Sequence, residues 1–345
     1  MSSLLTKVGR EARPCRRSAI IAGMAQQDSA ARPFQLMVAS RGAPDGRTIA
    51  EQARWAESVG FTHVAVHDHL AQRHAVTPLL AAVAMVTERV GLVPLVYNND
   101  LRHPAVLAQE LASLDVISGG RVVAGIGAGW NEPEYRAIGL QYDPAGTRID
   151  RMLEAIAIMK GLFADGPFSF AGRFYTITDM DGGAKPVQKP YPPFLIGGTR
   201  ERVLRLAARE GDIVGIDLRS EGEAILDAFE ARMDVRVGWI RDAAGDRFEQ
   251  LDLNVLRTLG DITITNEPLK VAADVARELA AETGMKISPR DVLESPFSLI
   301  GSVPELVDKL QGLRQRWGIN SFLVGWFGDE GLRDFAPVVE QLSGS

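Results

Sequence analysis

A chain of 345 residues with 46% hydrophobic and 24% charged side chains can bury a large core, and its length fits two ordinary domains or one α/β barrel with insertions. The net charge of -6 argues against nucleic acid as a main partner, and Cys15, the single cysteine, leaves neither a disulfide framework nor a thiolate metal site. No apolar run reaches the roughly 18 residues a membrane helix needs, so no membrane partner is expected and the expected compartment is the cytoplasm.

Residues 1–32 carry six lysines and arginines against Glu11 and Asp28 and show no hydrophobic period, the pattern of a disordered extension. Arg16-Arg17 before the apolar run from Ser18 to Ala25 has the outline of an export or organelle leader. The run is short, and a loose tail, or an upstream start with Met24 as the working one, is the plainer reading. From 33 onward the expectation is one domain.

In that domain short apolar runs alternate with amphipathic ones. Phe34 to Ala39 reads as a strand, and Thr48 to Val59 as a helix with Ile49, Ala53, Ala56 and Val59 at helical spacing, stopped by Gly60. Strands follow at Val64 to Val66 and Val90 to Val96, with helices from Pro78 to Thr87 and from Pro104 to Leu114. A fourth strand spans Val122 to Ile126, and a long helix runs from Gly146 to Phe163. Phe168 to Ile177 is a hairpin about Gly172 that breaks the rhythm.

Strands at Phe194 to Ile196, Ile213 to Ile216, Leu251 to Leu256 and Phe322 to Val324 bring the count to eight, with helices from Arg200 to Arg209, from Glu221 to Ile240 and near Leu332 to Leu342. Eight strand–helix alternations with uniformly apolar strands predict an α/β fold, a (β/α)8 TIM barrel. The hairpin and the polar stretch from 258 to 300 are insertions that cover the C-terminal face.

The residues just past each strand then become the site candidates. They are Ser40 and Arg41, His67-Asp68-His69, Tyr97-Asn98-Asn99, Gly127 to Glu134, Gly197-Gly198-Thr199, Asp217 and Gly325-Trp326. Glycines at 125, 127 and 129 strip the fourth strand's end of Cβ atoms, which suits the close approach of a ligand or of another backbone equally. Their spacing does not fit the dinucleotide fingerprint. His67-x-His69 invites a metal, yet all five histidines precede residue 104, so the later barrel ligands are missing and no metal is expected. An acid–base or hydrogen-bonding role for His69 at a pocket, with Asp68 able to orient the neighbouring groups, is the favoured reading, and a capping or packing role for His69 stays open beside it. Gly197-Gly198-Thr199 before a helix suits a phosphate, with Thr199 as an ordinary N-cap equally open.

Together, Asp68-His69, Arg102-His103-Pro104, Leu114 to Arg121 leading into Gly125 to Trp130, Asn131-Glu132-Pro133-Glu134-Tyr135 and Leu195 to Gly198 resemble the luciferase-like family of flavin and deazaflavin oxidoreductases, especially its coenzyme F-420 branch. The resemblance covers about residues 34 to 342. It implies a barrel whose mouth holds a tricyclic ring, with Asp68, Val96, Asn98, Gly127, Ala128 and Gly129 against the cofactor and its phosphate end near Gly197, Gly198 and Thr199. It also implies a cis peptide after strand three, here Leu95-Val96.

Hydride transfer between the deazaflavin and a small organic substrate, with His69 and Asp68 catalytic and Trp130 and Trp326 lining a weakly polar pocket, is the activity so implied. The alternative within the family is an FMN-dependent two-component monooxygenase fed by a flavin reductase. A metal-dependent hydrolase and an idle cofactor carrier stand further off. A homodimer is implied by the resemblance alone.

Overall fold

Alternation along each strand separates two apolar layers. Met37, Ala39, Ala65, Val93, Leu95, Val123, Leu195, Ile213 and Leu323 gather in one buried cluster, the filling of a barrel. Val38, Val64, Val66, Leu92 and Ile126, their neighbours in sequence, point the other way and pack under the helices with Leu80, Leu107 and Leu111. The computed structural model describes residues 32–40, 42–217, 229–256, 262–284, 286–295 and 297–343. The basic extension before Arg32, and Arg41 among the site candidates, lie outside them.

The strands, in chain order, are β1 (Gln35–Ser40), β2 (His63–Val66), β3 (Gly91–Pro94), β4 (Tyr97–Asn98), β5 (Ala124–Gly127), β6 (Pro167–Ala171), β7 (Thr176–Asp181), β8 (Phe194–Gly198), β9 (Ile213–Ile216), β10 (Asp252–Val255), β11 (Thr263–Ile264), β12 (Ile300–Gly301) and β13 (Ile319–Trp326). One parallel sheet has the order β3-β2-β1-β13-β10-β9-β8-β5-β4. Its two ends are halves of the same third strand, separated by the Leu95-Val96 peptide, which is cis as expected. A parallel bridge between Leu92 and Val122 closes the ring. There the Leu92 amide donates to the Arg121 carbonyl at 2.9 Å and the Val123 amide to the Leu92 carbonyl at 3.0 Å. Eight strand positions therefore close a parallel TIM barrel.

The helices around it are α1 (Gly46–Val59), α2 (Val76–Ala84), α3 (Pro104–Ser118), α4 (Glu132–Ala137), α5 (Ala145–Phe163), α6 (Glu201–Glu210), α7 (Phe229–Ala244), α8 (Pro268–Thr283), α9 (Pro289–Glu294), α10 (Val303–Trp317), α11 (Glu330–Asp334) and α12 (Ala336–Leu342). Local chemistry sets their ends. Asp45 accepts from the Thr48 amide at 2.8 Å at the start of α1, and Gly60 ends that helix at a φ of 99°. At α3, Pro104 occupies the first turn while His103 Nδ1 accepts from the Ala105 amide at 3.2 Å.

Three expectations change. The stretch from 258 to 300 contains helices α8 and α9 and one strand of the β11–β12 pair, and α10 was not foreseen at all. The hairpin, expected to cover the mouth, instead runs back along α5, where its turn is pinned by Glu154, which accepts from the amides of Arg173, Phe174 and Tyr175 at 2.8, 2.9 and 3.2 Å. Only its tip reaches the mouth side, where Tyr175 meets His103 edge-on at 5.4 Å. The closing helix breaks in two around Phe335 because Pro337 cannot donate within a continuous helix. The first part of the helix expected from Glu221 lies outside the described residues.

Candidate active site

The C-terminal ends of the strands carry a row of rings. Trp326 stacks on His67 at 4.5 Å, His67 stacks on His69 at 6.4 Å, and Trp130 meets the edge of His69 at 5.5 Å. Trp130 is 70% exposed, so most of its indole is open to solvent beside His69. Val96, Leu256 and Trp326 lie half-buried over the barrel filling, giving the mouth an apolar floor.

Asp68 is the hub that joins the second and third strand ends. It takes both guanidinium nitrogens of Arg102, Nη1 to Oδ2 at 2.6 Å and Nη2 to Oδ1 at 3.0 Å, and accepts the Asn98 amide at 3.0 Å. With its side chain only 7% exposed, Asp68 is a positioning group in this arrangement. Burial works against the Arg102 charge, but hydrogen bonding and attraction from Asp68 outweigh it, and the guanidinium stays firmly protonated.

The fourth strand end is locked by Tyr135, named above only as part of a motif, and by Arg148 and Tyr142, which the sequence reading passed over. Tyr135, fully buried on α4, lies 2.9 Å from Asn98 Oδ1 and 3.1 Å from Asp100 Oδ2. Burial, then the Asp100 charge, pushes its phenol above the usual range, so it stays a donor. Arg148, buried on α5, donates to the carbonyls of Ala128 at 3.1 Å and Gly129 at 3.2 Å, and it also bonds the Asp143 carbonyl. Tyr142 donates to the Trp130 carbonyl at 3.1 Å. An arginine and two tyrosines thus shape the loop from 127 to 130 from behind.

That geometry answers what the glycines are for. A Cβ at Gly125 would strike the Pro94 carbonyl, one at Gly127 would lie 2.6 Å from Val96 Cγ2, and one at Gly129 would overlap the Tyr135 hydroxyl. All three therefore make room for protein atoms, and a ligand is not needed to explain them. Gly198 likewise makes room for Val203, and Gly197 for Leu256 at 3.0 Å. Thr199 is not a helix cap: α6 starts at Glu201 after Arg200, without a side-chain cap, and the Thr199 carbonyl accepts from Arg236 at 3.1 Å.

His69 stands where the row of rings meets α4. Its Nδ1 pairs with Glu134 Oε2 at 3.0 Å, and Glu134 Oε1 accepts the Leu70 amide at 3.0 Å. The ring remains 27% exposed while Glu134 is 12% exposed. Of the other candidates, Ser40 accepts from the Gly42 amide, Asn99 is buried toward Asp100, and the Asp217 amide donates to the Gly198 carbonyl. Among the described residues, no group of three or more His, Cys, Asp and Glu side chains is placed to hold a metal, and no helix is long and apolar enough to cross a membrane.

A closed parallel barrel with its polar and aromatic side chains gathered at the C-terminal mouth is the architecture of a barrel enzyme. The chain belongs to the luciferase-like monooxygenase family, whose pattern its residues 26–237 match. It is 35% identical over 199 residues to an F420-dependent glucose-6-phosphate dehydrogenase from Microbacterium testaceum, covering 54% of this chain and 58% of that protein. It is 32% identical over 140 residues to an FMNH2-dependent dimethylsulfone monooxygenase from Pseudomonas putida, covering 41% and 38%. The chain thus spans about half the length of the curated relatives it matches. Its fold resembles that of the F420-dependent tetrahydromethanopterin reductase from Methanopyrus kandleri, with a TM-score of 0.70 at 20% identity over 90% of this chain and 97% of that one.

Proposed function

We propose that the protein is a coenzyme F-420-dependent oxidoreductase that moves a hydride between the deazaflavin and a small, weakly polar organic substrate, with His69 handling the accompanying proton. The observation that carries this reading is His69 itself: one ring nitrogen is held by Glu134, the ring meets Trp130 edge-on, and the side chain stays 27% exposed. The longer match to the deazaflavin-dependent relative supports the choice of cofactor over FMN.

The residues present fit such a group. Val96 and Leu256 offer an apolar floor for a flat ring, and the uncapped start of α6 after Gly197-Gly198-Thr199 offers amides to a phosphate. When bound, the deazaflavin supplies a two-electron acceptor or donor at its ring carbon 5. The chain's own contribution is to orient: Trp130 and Trp326 flank the substrate, and His69 takes or gives the proton at a substrate oxygen. Asp68 and Arg102 keep the second and third strand ends together. Asp68, Asp100 and Glu134 all have charged or donor partners within the protein, which favours an uncharged substrate.

Screening purified protein for bleaching of coenzyme F-420 absorbance against a panel of neutral alcohols tests the reading. His69→Ala is expected to cut turnover by about 10²–10⁴-fold while leaving cofactor affinity within a few-fold. Unchanged turnover in that variant removes His69 from the chemistry.

A further inference from the structure

Glu134 lies on α4, one residue before the buried Tyr135 that anchors this short helix to Asn98 and Asp100. Its two carboxylate oxygens have different partners, and that difference is informative. Oε1 receives the Leu70 amide, a backbone donor with no other role, and Oε2 faces His69 Nδ1. A carboxylate only accepts, so the hydrogen on a neutral His69 ring sits on Nδ1. Nε2 is then a lone-pair acceptor, without a hydrogen-bond partner among the described residues, on a ring that is 27% exposed.

We propose that Glu134 is the positioning residue of the site, fixing His69 in the Nδ1–H tautomer so that Nε2 meets the substrate as a proton acceptor. The proposal rests on the assignment of His69 to the chemistry, and it extends that assignment to a residue that never touches the substrate. Geometry sets the ring as well as the proton. The Glu134 bond, the stack of His67 and the edge of Trp130 hold the imidazole from three sides.

The isosteric variant Glu134→Gln makes the idea sharply testable. A glutamine has one oxygen, and the Leu70 amide claims it, because the opposite orientation sets the carboxamide NH2 against that amide, donor to donor. The NH2 group therefore turns to His69 Nδ1, which must become the acceptor. The substitution inverts the tautomer, leaving the proton on Nε2 and no base at the mouth, while size and fold are retained.

The primary readout needs neither cofactor nor substrate. Nitrogen-15 spectra of the histidine rings at alkaline pH, with His69 assigned by its loss in His69→Gln, are expected to show Nδ1–H in the native protein and Nε2–H in Glu134→Gln. Thermal melting shows whether the variant is folded. Turnover of Glu134→Gln is expected to fall by at least about tenfold, part of what acid–base catalysis contributes, and to fall no further when His69 is also replaced. The same tautomer in both folded proteins overturns the positioning role. An inverted tautomer with unchanged turnover keeps the structural arrangement but removes His69, and with it the proposed role of Glu134, from the reaction.

Discussion

Replacing Gly129 with alanine probes how the mouth is built. The residue has a φ of 76°, which costs an alanine about 1–2 kcal/mol. Its new Cβ would overlap the Tyr135 hydroxyl and lie 2.6 Å from Asn98 Oδ1, so the phenol must move and its donor is lost to Asp100 Oδ2 and Asn98 Oδ1, of which Asn98 Oδ1 keeps the Asp100 amide at 3.1 Å. That loss adds about 1–3 kcal/mol, for a total of about 2–5 kcal/mol. In a domain of this size the melting temperature should drop by roughly 3–8 °C. Tyr135→Phe removes the hydroxyl that the alanine meets, so the double variant should be more stable than the sum of the two single losses by about 1 kcal/mol or more. Strict additivity in urea unfolding, or an alanine variant as stable as the native protein, would show that Tyr135 does not close the space behind Gly129.

Arg148→Met removes the donor that holds the carbonyls of Ala128 and Gly129. Cofactor affinity is expected to weaken by at least tenfold while the barrel still folds, measured by fluorescence titration and circular dichroism; equal affinity would mean the loop keeps its shape unaided. The pH dependence of stability has a specific contributor in His63, whose imidazole loss of hydration pushes down to about 4. An unfolded histidine takes up its proton near pH ~6.5, so the unfolded chain binds more protons between that pH and 4. Stability should therefore fall as the pH is lowered through this window, with no further contribution from His63 below it. The drop in urea midpoint between pH 7 and pH 4.5 should be smaller in His63→Leu than in the native protein, and identical drops would contradict the assignment.

The barrel was legible because its signal is repetitive. Buried strands such as Val64 to Val66 and Ile213 to Ile216 are short and apolar, and helices such as α1 carry their own caps at Asp45 and Gly60. What escaped was local. The helix α10 has a capping box at Ser302 and Glu305 and a proline in its first turn, a start signal that follows directly on a polar stretch read as an insertion. Pro268 and the spacing of Val271, Ala272, Val275 and Ala276 mark α8 in the same way.

At the site, the order Asp68-His69 and the glycine series named two strand ends, but sequence alone cannot say which charges pair. Asp68 is taken by Arg102, 34 residues later, and His69 by Glu134, 65 residues later. Arg148 was equally invisible, since a lone arginine on an amphipathic helix usually faces water. The glycines were read as open to a ligand or to neighbouring backbone, and only the positions of Pro94, Val96 and Tyr135 decide between them.

The most direct test of the central claim is a titration of the purified protein with coenzyme F-420 and, separately, with FMN, following the fluorescence of each. Saturable binding of the deazaflavin with much weaker binding of FMN, lost in a variant that fills the mouth such as Gly197→Trp but kept in His69→Ala, is the predicted result. Tight FMN binding with no binding of coenzyme F-420 would contradict it and move the protein to the oxygen-using side of its family.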